Sequence, residues 1–135
     1  MTEDFDENPF GALITVSDVD EVAAVPSDAQ GLLVRYPSDE LLSAIARQLR
    51  EVRHILADGN AQRITDRGVA ALRSMHALES LDLEYSAVTD AALDELAKFS
   101  ALRWVDLGST PGVSVAALQN LRSRRPDLEI ESDEL

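Results

Sequence analysis

The chain contains no cysteine. That removes a disulfide framework, a thiol nucleophile and a thiolate metal site together. Aromatic residues are scarce, and Trp104 is the only tryptophan, so each ring is conspicuous. No apolar run approaches the roughly 20 residues that span a bilayer. The opening MTEDFDENPF is acidic where a secretion signal is basic, and no signal-type apolar core follows it. These absences make a soluble, cytoplasmic protein the expectation, with no membrane contact.

Positive charge is scarce as well. Lys+Arg number 12 against 25 Asp+Glu, for a net charge of −13. Residues 1–34 hold eight of those acids and no Lys or Arg, which leaves 17 acids and 12 bases for the remainder. A nucleic-acid binder needs a basic footprint to neutralise phosphates, so nucleic acid is not an expected partner. An anionic membrane surface is disfavoured for the same reason. The excess of acids serves solubility, and it also steers the molecule toward a basic partner.

What remains is enough for a folded domain. Apolar residues make up 45% of the chain. At this length a single domain buries about two-thirds of its unfolded surface. The chain is also self-similar. PSDELLSAIARQLREVRHILA starts at Pro37, ITDRGVAALRSMHALESLDL at Ile64, VTDAALDELAKFSALRWVDL at Val88 and VSVAALQNLRSRRPDLEI at Val113. In each copy a hydroxyl residue (Ser38, Thr65, Thr89, Ser114) precedes a helical period, where it can accept an orphan backbone N–H. Asp39, Asp66 and Asp90 follow in the first turn, where negative charge suits the helix dipole. Leu42, Val69, Leu93 and Leu118, with Ile45, Leu72, Leu96 and Leu121, then form one apolar stripe. A period-two strand ends the copy: Ile55 and Ala57, Leu81 and Leu83, Val105 and Leu107. One such unit cannot bury its apolar side, whereas stacked units can.

The stretch LESLDLEYSAVTDAALDEL, with its neighbours over about residues 37–130, resembles a bacterial-type leucine-rich repeat. The resemblance implies an α/β fold: a short right-handed solenoid with parallel strands on one face and helices on the other. It also implies that Asn60, Ser86 and Thr110 occupy the position whose side chain bonds neighbouring loop backbones. Residues 1–9 read as a flexible acidic tail, and residues 131–135 as a frayed end. Residues 10–36 fall outside the period and are expected to form an irregular N-terminal cap, with short strands at 12–16 and 32–36 and a helical turn at 19–25.

In that fold the non-leucine strand positions face outward from the concave side and stack between repeats. One row is His54, Ser80 and Trp104. The next is Leu56, Asp82, Asp106 and Glu129; a third is Asp58, Glu84, Gly108 and Glu131. Strands lie ~4.8 Å apart, which makes Asp82 and Asp106 neighbours. Two unit charges at about 5 Å repel by roughly 1 kcal/mol in water and ~3 kcal/mol at an effective dielectric of 20. An acidic column beside Trp104, with Tyr85 at the rim, fits a surface that grips Lys or Arg of a protein partner. The same carboxylates also fit a merely solvated strand face, and Trp104 could instead pack on Tyr85 or His54.

Chemistry finds little support. No G-x-S-x-G, glycine-rich phosphate loop or H-E-x-x-H occurs, so neither an enzyme nor a cofactor is expected. Flat strand ladders do not wrap a calcium ion in oxygens. Paired carboxylates on a shallow face lack the cleft that glycosidase chemistry needs. His54 and His76 fall on different elements and do not form a metal pair. The functional expectation is a non-enzymatic interaction module for a basic protein, in the manner of an immunity protein or antitoxin that inhibits a toxin or nuclease. The alternative is a structural adaptor within a larger assembly.

Overall fold

The computed structural model describes residues 10–58 and 63–134. The tail expected at 1–9 and the loop residue Asn60 lie outside them. In chain order the elements are β1 (Ile14–Val16), α1 (Val19–Val22), β2 (Gly31–Arg35), α2 (Asp39–Gln48), β3 (His54–Asp58) and α3 (Asp66–Ala71), followed by β4 (Ser80–Asp82), α4 (Asp90–Leu96), β5 (Trp104–Asp106), α5 (Val115–Arg124) and β6 (Glu129–Glu131). The six strands form one sheet in sequence order, every neighbouring pair parallel. A helix occupies each crossover, as parallel pairing requires. No helix among the described residues is long and apolar enough to cross a membrane.

Register follows the apolar pattern. Ile14, Leu32, Ile55, Leu81, Val105 and Ile130 stand opposite one another from strand to strand. The helical stripe faces this row: Leu42, Ile45, Val69, Leu72, Leu93, Leu96, Leu118 and Leu121 are all buried in the same core. Truncating a fully buried leucine such as Leu81 removes roughly 2–5 kcal/mol. The segment expected as an N-terminal cap carries the two short strands and the helical turn read from its sequence, as β1, β2 and α1, and the strands join this sheet as its first two members. Physically, Val16, Leu32 and Val34 supply the same buried alternation as the later copies, although the spacing is shorter.

All four hydroxyl caps form. Ser38, Thr65, Thr89 and Ser114 accept backbone N–H groups of the first turns of α2, α3, α4 and α5. The aspartates beside them reach beyond their own helices. Asp39 accepts the N–H (2.8 Å) and hydroxyl of Thr65. Asp66 holds Thr89 in the same way, and Asp90 holds Ser114. Each carboxylate thereby clamps the cap of the following unit.

The last strand departs from the sequence reading. At the starts of β3, β4 and β5 two successive N–H groups share the carbonyl of the residue just ahead of the preceding strand: Arg53 and His54 on Gln30, Glu79 and Ser80 on Arg53, Arg103 and Trp104 on Glu79. In β6 Glu129 alone bonds the Arg103 carbonyl. The final copy lacks the extra residue between its buried Leu128 and its strand. Glu129 therefore stands opposite Trp104, and Glu131 opposite Asp106, rather than the placement expected above. Residues 131–134, read as a frayed end, carry contacts: Glu131 ends β6, and Asp133 accepts the Ser109 N–H at 3.0 Å.

Candidate functional site on the outward strand face

The outward face carries two unlike regions. Along the first row, His54, Ser80, Trp104 and Glu129 follow one another across β3 to β6. His54 Nδ1 lies 2.9 Å from Ser80 Oγ. Burial holds the His54 imidazole below its usual range, with Glu79 opposing that shift and Arg53 adding to it. Ser80 was expected on an open surface, yet it is only 5% exposed. Phe10 lies beside the two neighbours of Ser80 in this row. Its ring lies 5.4 Å from His54 at 61° and 5.6 Å from Trp104 at 52°. The residues just before β1 therefore cross this row, and Trp104 meets Phe10 rather than Tyr85 or His54.

The second region is acidic. Leu33 and Leu56 stand opposite each other on β2 and β3, and further along the face come Asp82, Asp106 and Glu131. Carboxylate oxygens of Asp82, Glu84 and Asp106 lie within 4.8 Å of one another. Asp82 accepts the N–H groups of Ala57 (3.2 Å) and Glu84 (3.1 Å), and Asp106 that of Gly108 (2.8 Å). These bonds orient the carboxylates on the strand ends but do not neutralise them. All three acids are pushed above the ordinary carboxylate range. Burial is the leading cause in each case. Like charges add to it: Asp106 and Glu131 on Asp82, Glu131 and Asp133 on Asp106, and all four neighbours on Glu84. Among the described residues, no Lys or Arg forms an ion pair with Asp82, Glu84, Asp106, Glu129 or Glu131.

The remaining candidates lie apart from the cluster. Asp58 pairs with Arg35 at 3.2 Å, so it adds little to the acidic field. Tyr85 sits past the end of β4 with φ 66° and is exposed. Tyr36 and Ser109 take the same left-handed conformation just past β2 and β5. Thr110 donates to the Leu107 carbonyl of its own unit, and the hydroxyl of buried Ser86 has no hydrogen-bond partner among the described residues. Neither makes the expected bond to a neighbouring loop.

Two participants escaped the sequence reading, Phe10 and Asp133, and a third, Glu131, was read into the wrong row. Phe10 had one signal, an aromatic placed directly after an acidic tail in a chain poor in rings. The other two followed the misplaced register of the last strand. Comparison with known proteins adds no identity: no protein-family model matches the chain, and no curated protein matches it.

Proposed function

We propose that the chain is a non-enzymatic interaction module, a short leucine-rich-repeat solenoid whose outward strand face binds a basic surface of a protein partner. The observation that carries this reading is the packed, unpaired set of Asp82, Glu84 and Asp106, extended by Glu131 and Asp133. Asp82, Glu84 and Asp106 are pushed above the ordinary carboxylate range by burial and like charges, so their charged forms cost the folded chain stability, and an opposing cation on a partner would relieve that cost. A surface that only needed solubility would disperse its charges or alternate their signs. An inhibitor of a basic toxin or nuclease suits such a face, because it would cover the cationic surface that grips the target's own substrate.

A direct probe is a hexa-arginine peptide titrated calorimetrically into the full chain. The double reversal Asp82→Lys with Asp106→Lys should weaken binding at least about tenfold at low salt, with circular dichroism unchanged. Raising salt to about 0.5 M should weaken the unsubstituted chain as well. Binding that ignores both the reversal and the salt would refute the proposal.

A further inference from the structure

Beyond the carboxylate cluster, the face contains a recess with a different chemistry. Phe10, Trp104, Glu129 and Glu131 enclose an open space of about 440 Å³. Two walls are aromatic, tilted by 52° with centroids 5.6 Å apart, so the rings form a V rather than a closed stack. The other walls are exposed carboxylates on successive outward positions of β6. The Trp104 indole N–H donates to Glu131 at 3.0 Å, which fixes the ring and the carboxylate relative to each other.

The choice of guest follows from these groups. An apolar side chain would desolvate two carboxylates without satisfying them. An anion would be repelled. A hard metal ion would find too few oxygens between aromatic walls. An organic cation gains from the negative ring faces and from the carboxylates at once. Among organic cations, a guanidinium is planar and weakly hydrated, and it carries N–H donors along its edge. It can lie on the indole while its edge meets carboxylate oxygens, which a compact ammonium cannot do.

We propose that the recess lined by Phe10, Trp104, Glu129 and Glu131 receives an arginine side chain of the protein partner, stacked on the indole with its N–H groups toward Glu129 and Glu131. The assignment rests on the reading of this face as an interaction surface and names the anchor that the partner inserts. Phe10 becomes part of the site: residues ahead of the first strand supply one wall, and the last strand supplies the opposite one.

Two probes test it on the ¹⁵N-labelled full chain by NMR: N-acetylarginine methylamide and the hexa-arginine peptide. The arginine derivative should shift the Trp104 indole N–H and the Glu129 and Glu131 amides in a saturable way. Its citrulline counterpart, equal in shape but uncharged, should leave them in place, and the lysine counterpart should bind several-fold more weakly. Phe10→Ala, and separately Glu129→Gln with Glu131→Gln, should each reduce the response about tenfold while the remaining spectrum stays that of the folded chain. Equal binding of lysine and arginine would overturn the guanidinium assignment. Should the peptide shift the Asp82 and Asp106 amides while neither probe moves Trp104, the recess is wrong and the acidic face stands. No shift from either probe would remove both.

Discussion

The carboxylate of Asp66 accepts both the N–H and the hydroxyl of Thr89, the residue that caps the next helix. The helix dipole would be satisfied by any acid in the first turn. Two-oxygen acceptance is a stricter demand, since an amide offers one oxygen and alanine none. Asp66→Ala should therefore cost on the order of 1–2 kcal/mol, with Asp66→Asn between it and the unsubstituted chain. The check is the urea midpoint of each variant at constant slope. Equal midpoints for the three proteins would reduce the clamp to a dipole effect. This role was only half legible in the sequence. The spacing of Thr-Asp pairs was visible, but a bond to the following unit depends on how units stack, and no single copy encodes that.

Among the elements, α3 carries the tightest constraint. A Cβ built on Gly68 would meet the Asp39 carboxylate oxygen and lie 3.1 Å from Leu42 Cδ1. Alanine gains about 1 kcal/mol of helix propensity over glycine, and that gain ordinarily stabilises an exposed helix. Here the added methyl would push Asp39 off Thr65 and crowd α2. Gly68→Ala should destabilise the chain by about 1–3 kcal/mol in spite of the propensity gain, as read from thermal unfolding. A raised Tm would show that Asp39 can yield without loss. The helices and buried rows were legible because apolar spacing alone dictates them. The register of β6 was not: Leu128 resembles a strand leucine, and only the missing residue after it moves Ile130 into the row of Val105. Nor did periodicity reveal that β1 and β2 extend the sheet, since their units are shorter than the repeat. Phe10 was invisible to pattern for another reason. Its partners His54 and Trp104 are distant in sequence and meet it only once the strands are stacked.

At the scale of the whole molecule, the raised carboxylates govern pH response. An acid whose folded pKa exceeds its unfolded value binds protons more tightly when folded, so stability falls as pH rises through that window. Asp82 and Asp106 are raised above 3.8 and Glu84 above 4.5. Asp127 runs the other way, lowered to about 2 chiefly by its hydrogen bonds from Arg125. Its contribution is present above 3.8 and is lost as pH falls toward about 2. The Tm should thus climb as pH drops from neutrality toward the ordinary carboxylate range, then decline below it. Asp106→Asn can keep the Gly108 contact through its amide oxygen while losing the charge, and it should flatten the climb. Thermal unfolding by circular dichroism across this range decides the matter. A Tm that only falls on acidification would mean the cluster costs the fold nothing.

The clamps from Asp39 to Thr65, Asp66 to Thr89 and Asp90 to Ser114 have a consequence for how such a chain can change over generations. The segment from Asp66 through Thr89 begins with a clamp's acceptor and ends with its donor. A tandem duplication of that segment carries both halves along, and its excision leaves Thr65 followed directly by Asp90. Either event preserves every junction, as does exchange at any other pair of equivalent positions, while cuts out of register with each other separate an aspartate from the hydroxyl it serves. Recombination between copies is in this sense grammatical only when both cuts fall at equivalent positions. The outward strand residues travel with each copy, so the length and charge of the outward face can change in whole steps without redesign of the core.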